Sequence, residues 1–358
     1  MSRLIRAVID TQALRHNLNV IRARAGRARV IAVVKANAYG HGLASTALAI
    51  QDADAFAVAR LEEGMSLRAA GITSRIVLLE GVFSRSQLED AAQDNLDLVV
   101  HDARQIELLE QAGGAGRFAV WIKIDTGMNR LGFAPRDFAP ALKRVRMLRS
   151  APRELRLMTH LACADERDGQ VTRAQLAAFA ATIGELKHET SVVNSAGLFG
   201  GVAAAGDWVR PGLALYGASP FADATAADFG LRPVMTLMST VLTVREVSRG
   251  ERVGYGGAWS APRDSRIAII AAGYGDGVPR SFETGTPVLI KKQRAALVGR
   301  VSMDMIAVDV TGIAGIEVGT PATLWGEGLP VEEVARHAGT IPYELLCSVS
   351  QRVPLEPR

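Results

Sequence analysis

Short hydrophobic runs rich in β-branched residues alternate with longer amphipathic stretches over roughly the first 230 residues. Such runs, separated by helical periods, are typical of buried parallel strands covered by helices. The predicted strands are Arg29–Val34, Ala55–Ala59, Arg75–Leu79, Leu96–Val100, Ala119–Ile124, Leu155–Thr159, Ser191–Val193 and a weaker one near Trp208–Val209. The predicted helices are Leu43–Gln51, Leu61–Ala70, Ser86–Ala92, Asp102–Gln111, Phe138–Leu148 and Gln170–Leu186. This α/β pattern predicts a TIM-type (β/α)8 barrel, and a doubly wound sheet is the alternative, although no Gly-x-Gly-x-x-Gly opens a helix.

The pattern changes after Pro233, where helical periods become rare and glycines and prolines separate the hydrophobic runs. The strand-like runs are Val234–Val247, Arg266–Ala271, Pro287–Ile290, Arg294–Val298, Ile306–Val310 and Ala322–Leu324. One helix is predicted at Val331–Ala338. The sequence therefore predicts an N-terminal barrel over residues 1–232 and a C-terminal, mostly-β domain over residues 233–358.

Composition and charge narrow the class of protein. The 358 residues are 48% hydrophobic and 22% charged, which is typical of a globular chain. The net charge of +4 is spread along the chain without a basic block, so a nucleic-acid partner is not predicted. Neither Cys163 nor Cys347 has the spacing of a metal site, and no run approaches the roughly 18 apolar residues of a membrane span. A charge also interrupts the first apolar run too early for a signal peptide, so a cytoplasmic protein is expected.

The first predicted strand leads into Lys35, and Tyr39-Gly40-His41-Gly42 follows. A lysine at the end of a barrel strand lies at the carboxyl mouth, where catalytic groups collect. An isolated lysine there is more often a side chain that extends to solvent. The glycine-rich segment favours a functional role, because glycines and backbone amides form anion-binding loops.

The segment Val34–Gly42 resembles the lysine segment that binds pyridoxal phosphate (PLP) in bacterial alanine racemases. Further segments that resemble this family follow in order along the chain. They are Ile9-Asp10, Ala13–Leu18, Lys123–Gly132, Thr159–Ala162, Ala164–Glu166, Asn194–Ala196, Arg210–Gly212, Leu215–Gly217, Gly254–Gly257, Gly273–Gly277 and Gly299–Met305. The resemblance implies a PLP-dependent isomerase that interconverts L- and D-alanine and supplies D-alanine as a peptidoglycan precursor. A catabolic role uses the same site and stays open.

Racemisation requires a proton to leave one face of the α-carbon and another to return on the opposite face. A side chain cannot remove this weakly acidic proton unless a cofactor such as PLP delocalises the resulting charge. The resemblance implies that Lys35 holds PLP as a Schiff base and is the base for D-alanine, whereas Tyr255 is the base for L-alanine. It implies that His160 polarises Tyr255 and that Arg210 contacts the pyridine nitrogen. A permanent cation there disfavours protonation of that nitrogen.

The resemblance also implies where the phosphate and the substrate bind. The implied phosphate ligands are Tyr39, Ser195, Tyr343 and the backbone of Gly212 and Leu213. Tyr343 is the weakest of these, because Pro342-Tyr343-Glu344 is predicted as an ordinary loop. Arg130 would bind the substrate carboxylate through its planar guanidinium, together with Met303 and Asp304.

Two further residues match positions of the family. Lys123 matches a lysine that is often carbamylated, which would replace a cation by an anion able to orient Arg130; a plain strand-end lysine is the alternative. Tyr274 matches a tyrosine that narrows access to the site, and a packed turn aromatic fits the sequence equally well. The chain departs from the family after Pro354, where Leu355–Arg358 replaces a basic and an aromatic residue.

The resemblance implies a homodimer in which the partner subunit supplies Tyr255. A broad-specificity amino-acid racemase and a barrel-type PLP decarboxylase are the enzymatic alternatives, and a non-catalytic PLP carrier is a third. The decarboxylases usually have a catalytic cysteine in the β domain, and the surroundings of Cys347 do not match it. A carrier is a barrel alone, so the predicted C-terminal domain counts against that class.

Overall fold

The computed structural model describes residues 4–116, 118–166, 168–202 and 206–358. Strand β1 (Arg6–Ile9) and helix α1 (Thr11–Ala25) come first. The chain forms two compact units. The barrel unit comprises residues 18–38 and 42–215, and the sheet unit comprises residues up to 17, 39–41 and 216–358. The domain boundary between residues 232 and 233 stays a prediction.

Eight parallel strands close into a barrel in the barrel unit. They are β2 (Arg29–Val33), β3 (Ala55–Val58), β4 (Arg75–Leu78), β5 (Asp97–Val100), β6 (Ala119–Lys123), β7 (Glu154–Met158), β8 (Thr190–Asn194) and β9 (Trp208–Arg210). Most of their residues are buried, as expected for parallel strands that are covered by helices. The predicted (β/α)8 barrel is confirmed, and every strand lies within one residue of its predicted ends. The doubly wound alternative is wrong because β2 pairs with β9 and closes the sheet.

Helices connect these strands. They are α2 (Lys35–Tyr39), α3 (Leu43–Ala49), α4 (Leu61–Ala69), α5 (Arg85–Gln93), α6 (Ala103–Gln111), α7 (Pro135–Arg146), α8 (Gln170–Ile183) and α9 (Ser195–Phe199). The six predicted helices correspond to α3 through α8. The short α9 was not predicted because five residues are too few to show a helical period. The segment α2 was not predicted because its backbone is left-handed from Ala36 onward.

The amino ends of the barrel strands hold a network of charged and aromatic side chains centred on Arg156. This side chain is 6% exposed and forms ion pairs with Glu154 and Glu189, the latter at 2.5 Å from Nε. Its guanidinium carbon lies 5.1 Å from the ring centre of Trp121 and 5.5 Å from that of Trp208. Such a network stabilises the barrel end opposite the mouth where catalytic groups collect.

The sheet unit contains an eight-stranded sheet in the order β13-β16-β15-β14-β17-β10-β1-β18. Its later elements are β10 (Met235–Val247), β11 (Arg252–Val253), β12 (Trp259–Ser260), β13 (Ser265–Ile270), β14 (Pro287–Ile290), β15 (Gln293–Val298), β16 (Ile306–Asp309), β17 (Pro321–Trp325), α10 (Val331–His337), α11 (Pro342–Ser348) and β18 (Leu355–Pro357). Strand β10 also pairs with β13, so six antiparallel strands close on themselves. The predicted mostly-β character is confirmed. Strand β1, from the other end of the chain, pairs with β10 and β18, which local periodicity does not reveal.

One local prediction in this unit is wrong. Pro342-Tyr343-Glu344 is not a loop but the first turn of α11. Proline is favoured at the first helical position because it needs no hydrogen-bond partner for its nitrogen there. Tyr343 therefore projects from a helix.

None of the helices in the described ranges has the length and hydrophobicity that crossing a bilayer requires. Over the same residues, no group of three or more His, Cys, Asp or Glu side chains could bind a metal ion.

Candidate active site

Five of the predicted site residues lie at the carboxyl ends of barrel strands. Lys35 follows β2 by two residues, and His160 follows β7 by two. Lys123 ends β6, Arg210 ends β9, and Ser195 comes directly after β8. Because the carboxyl ends of parallel barrel strands meet at one mouth, the fold gathers these side chains at that end of the barrel unit.

Arg210 is a buried cation without a carboxylate partner among the described residues. Its Nη1 donates a hydrogen bond of 2.5 Å to the Ser191 hydroxyl, and its Nη2 donates one of 2.6 Å to the Thr159 carbonyl. Its side chain is 5% exposed, and burial lowers its pKa to about 10. The guanidinium therefore remains charged at neutral pH.

His160 is held as a neutral imidazole with a defined tautomer. Burial, followed by the nearby cations Arg210 and Lys123, lowers its pKa well below the ordinary value. Nη2 of Arg210 lies 3.3 Å from Nδ1 of His160. Since a guanidinium can only donate, Nδ1 must accept, and the single ring proton lies on Nε2. His160 thus presents an N–H donor on its far side.

Lys123 is a basic group whose charge is strongly disfavoured. Burial, then the charges of Arg210 and Arg130, lower its pKa to about 8, and Lys35 adds a smaller effect of the same sign. Asp125 opposes this shift. A cluster of four cations with one nearby carboxylate produces the positive potential that suits an anionic ligand.

Asp125 shapes the loop that carries Arg130. One carboxylate oxygen accepts hydrogen bonds from the amides of Gly127 (2.9 Å) and Asn129 (3.0 Å). The other accepts from the Arg130 amide at 3.1 Å. Gly132 closes the loop at a φ of 130°. A β-carbon at this position would lie 2.6 Å from the Asp125 amide nitrogen, which is too close for a non-bonded contact. The backbone that positions Arg130 is therefore tightly constrained.

Ser195 joins two neighbouring strand ends. Its hydroxyl oxygen accepts hydrogen bonds from the amides of Gly212 (3.0 Å) and Ala214 (3.3 Å). Ser195 is 2% exposed and Leu213 is fully buried. Because both bonds use the oxygen as acceptor, the hydroxyl proton remains available to donate to an anion.

The turn after Lys35 is left-handed, which the sequence does not predict. Ala36, Asn37, Ala38 and Tyr39 have φ values of 54°, 53°, 54° and 52°. Each such L-residue costs about 1–2 kcal/mol relative to a right-handed conformation. Alanine favours right-handed helices, so the tertiary structure imposes this backbone.

In the sheet unit, Tyr39 and Tyr343 belong to one aromatic stack. The ring of Tyr39 stacks on Tyr216 with centres 4.8 Å apart and lies 6.0 Å from that of Tyr343. Tyr216 also stacks on His41 at 4.5 Å. Burial, then Tyr343 and Cys347, raise the pKa of Tyr39, so its phenol remains a proton donor at neutral pH. Tyr216 therefore packs between the rings of Tyr39 and His41.

Two loops of the sheet unit that carry Tyr274 and Met303 bind each other closely. The amide of Tyr274 donates to the Ser302 carbonyl at 3.0 Å, and the amide of Gly275 donates to the Met303 carbonyl at 2.8 Å. A side chain on Gly273 would meet the Met303 carbonyl oxygen at 2.3 Å, so this approach requires glycine. Tyr274 and Met303 are 42% and 52% exposed, and Tyr274 is therefore not a fully packed turn aromatic.

Arg352 bridges these two loops through two carboxylates. Its Nε donates to Asp276 at 2.7 Å and its Nη2 donates to Asp304 at 2.6 Å. Asp276 is 1% exposed. The Asp304 carboxylate is thus engaged by Arg352, which sequence reasoning missed because the two residues are 48 positions apart.

Comparisons with known proteins agree with this arrangement. The family model for the alanine racemase N-terminal domain matches residues 9–220, and the one for the C-terminal domain matches residues 234–356. A relative named alanine racemase from Nitrosomonas eutropha is 49% identical over 357 residues and 99% of both chains. Another from Vibrio parahaemolyticus is 46% identical over 98% of both chains.

Solved structures give the same result. Biosynthetic alanine racemase from Pseudomonas aeruginosa matches with a TM-score of 0.97 at 46% identity over all of both chains. Alanine racemase from Bartonella henselae, described with covalently bound pyridoxal phosphate, matches with a TM-score of 0.90 at 31% identity over all of both chains. The chain therefore belongs to the alanine racemase family.

Proposed function

We propose that this protein interconverts L- and D-alanine with PLP as cofactor, using Lys35 and the partner subunit's Tyr255 as bases on opposite faces of the substrate. The observation that supports this most is the barrel mouth. There, Lys35 lies among Lys123, Arg130 and Arg210, around a neutral His160. Neither the decarboxylase nor the carrier alternative accounts for matches to both racemase domains.

The donors at the barrel mouth fit an anionic cofactor such as PLP, which when bound delocalises the charge left on the α-carbon. The Ser195 hydroxyl proton and the backbone of Gly212 and Leu213 would bind the phosphate, joined by the phenols of Tyr39 and Tyr343. Arg210 would face the pyridine nitrogen. Because Arg210 keeps its charge at neutral pH, it would keep that nitrogen unprotonated and limit side reactions of the carbanion.

His160 would assist the partner subunit's Tyr255 as a hydrogen-bond donor. Its Nε2 carries the single ring proton because Arg210 occupies Nδ1. A donated hydrogen bond stabilises a phenolate more than a phenol. It would therefore favour the deprotonated form of Tyr255, which removes the proton from L-alanine. Lys35 would remove or return the proton on the other face.

Arg130 would bind the substrate carboxylate, with the Met303 amide and Asp304 as further contacts and Tyr274 narrowing access. Lys123 would be carbamylated: its neutral amine forms a nitrogen–carbon bond to carbon dioxide and releases a proton. A pKa of about 8 favours this reaction, because roughly a tenth of the amine is neutral at pH 7. The carbamate would replace one cation of the cluster by an anion that orients Arg130.

A homodimer that shares the site would account for the exposure of Tyr255 in a single chain. Its side chain is 69% exposed, and its hydroxyl forms no hydrogen bond with any described residue. Large exposed aromatic side chains are enriched at protein interfaces. The cytoplasmic location and the supply of D-alanine for peptidoglycan remain predictions from the resemblance.

Solvent-deuterium exchange tests the two bases. We expect Tyr255→Phe to lose α-proton exchange from L-alanine far more than from D-alanine, and Lys35→Ala to lose PLP attachment and racemisation. The measurement is deuterium in recovered substrate by mass spectrometry. Equal losses for the two enantiomers in Tyr255→Phe would contradict the assignment.

Mixing the two inactive variants tests the shared site. In a mixed dimer, Lys35 of one chain can meet the partner subunit's Tyr255 and restore one intact pair. Random exchange should recover roughly a quarter of wild-type activity, since half of the dimers are mixed and each holds one intact site. No recovery after verified subunit exchange would refute the shared site.

A further inference from the structure

The carboxylate of Glu63, on α4, binds two separate segments of the barrel unit. Oε1 accepts a hydrogen bond of 2.6 Å from the amide of Ala36. Oε2 accepts from the amides of Ala59 at 3.0 Å and Arg60 at 3.1 Å. The amide of Ala36 is the first one after Lys35, so Glu63 holds the backbone that carries the proposed base.

This backbone needs a restraint because it is left-handed from Ala36 to Tyr39. Side chains with a β-carbon rarely adopt this conformation, and four consecutive residues do so only when surrounding contacts hold them. Within the barrel unit, the amide of Leu43 donates to the Asn37 side chain at 2.9 Å and ties the turn to the first residue of α3. Glu63 restrains the near end, next to Lys35.

We infer that Glu63 is a positioning residue that sets the conformation of the turn after Lys35, and so the reach of the Lys35 amine toward the cofactor and substrate. The inference rests on the proposed function of Lys35. It concerns a residue that touches neither cofactor nor substrate and acts only through the Ala36 amide.

Helix capping explains only part of this geometry. A glutamate at the third helical position commonly accepts from the amide before the helix, as Oε2 does with Arg60. The bond from Ala36 comes from another strand–helix connection, 27 residues earlier, and contributes nothing to that cap. A residue that only capped α4 would leave the Lys35 segment unchanged when replaced.

Three variants separate the two roles. Glu63→Gln keeps one acceptor oxygen but places an NH2 group where the second oxygen was, and this group cannot accept from an amide. Glu63→Asp keeps the acid at the same helical position and shortens its reach to Ala36. Glu62→Gln is the matched control, because Glu62 is the exposed neighbour in the same first turn and makes no hydrogen bond through its carboxylate to any described residue.

The first readout uses the full-length apoprotein and requires no activity. Hydrogen–deuterium exchange by mass spectrometry of peptides covering residues 35–42 should be about tenfold faster in both Glu63 variants, since a hydrogen bond to a charged acceptor contributes roughly this factor or more. PLP titration should show about tenfold weaker binding. The Glu62→Gln protein should match wild type in both measurements.

The second readout is the loss of α-proton exchange, which should be greater for D-alanine than for L-alanine in both Glu63 variants. If Glu63→Gln and Glu63→Asp match Glu62→Gln in segment exchange and PLP binding, the inference is wrong. If these effects appear but Lys35→Ala still racemises alanine, the proposed role of Lys35 is wrong and Glu63 holds the turn for another purpose. Thermal unfolding of each apoprotein verifies that the variants are folded.

Discussion

Replacing Lys123 by methionine removes a positive charge that destabilises the folded protein. Burial and the charges of Arg210 and Arg130 lower the pKa of Lys123 from 10.5 to about 8. Methionine has a similar length and no charge, so it fills the same space without the electrostatic penalty. We therefore expect Lys123→Met to stabilise the apoprotein at pH 7.

The magnitude follows from the difference in proton affinity between the folded and unfolded states. A shift from 10.5 to about 8 corresponds to roughly 3 kcal/mol in the free energy of unfolding. Below about pH 8 both states carry the proton, and the folded state bears the full penalty. Between about pH 8 and 10.5 the folded protein has lost the proton while the unfolded chain retains it, so wild-type stability rises relative to the variant. The advantage of Lys123→Met should fall below about 1 kcal/mol at pH 10.

The assay is urea unfolding of both apoproteins in carbon dioxide-free buffer at pH 7 and pH 10. The difference between the two proteins at each pH cancels the titrating groups that do not interact with Lys123, and His160, which does interact with it, is neutral at both pH values. Lys143→Met is the matched control, because it makes the same substitution at an exposed position on α7. An advantage of Lys123→Met that is absent at pH 7, or that is the same at pH 10, would refute the electrostatic reasoning.

A bicarbonate arm at pH 8, against chloride at equal ionic strength, tests carbamylation. Bicarbonate should stabilise the wild type alone, because a ligand that binds only the folded state adds its binding free energy to stability. Equal responses of the wild type and Lys123→Met would contradict the proposed carbamate.

Two further predictions concern carboxylates that sequence reasoning overlooked or assigned differently. Asp125→Asn should raise KM for both alanine enantiomers by about tenfold with little change in kcat, because it loosens the loop that positions Arg130; an unchanged KM in steady-state kinetics would show that the loop keeps its shape without the carboxylate. Asp276→Ala should lower the free energy of unfolding by about 2 kcal/mol, because it leaves unsatisfied the buried amide of Gly273, which donates to the Asp276 carboxylate at 2.9 Å. Asp304→Ala, at the exposed end of the same Arg352 bridge, should lower it by less than about 1 kcal/mol in the same urea titration. Equal effects of these two variants would mean that burial does not distinguish the two ends of the bridge.

Most of the barrel strands can be predicted from the sequence, because the hydrophobic pattern that indicates each strand lies within a few consecutive residues. A parallel strand that is buried on both faces must be a short apolar run, and the ends of the eight runs were correct to one residue. Lys35, Ser195 and Arg210 could be placed near strand ends by the same reasoning. The helix that begins at Pro342 was missed because Pro342-Tyr343-Glu344 suits a loop as well as the first turn of a helix, where proline is also favoured.

The hydrogen bonds that define the site could not be predicted from the sequence, because they join residues that are far apart along the chain. Glu63 reaches the Ala36 amide across 27 residues, and Arg210 reaches His160 across 50. Asp125 lies inside a segment that resembles the family, yet only the folded loop shows its carboxylate bound to three amides.

The sequence by itself determined which residues form the barrel strands and which chemical groups come at their carboxyl ends. Hydrophobic periodicity encodes these features over a few residues, and parallel pairing then places the groups at one mouth. The tertiary structure alone decided the proton position on His160, the lowered pKa of Lys123 and the left-handed turn after Lys35. These properties depend on burial, on charges and on hydrogen bonds between distant segments, which have no signal in any local stretch of sequence.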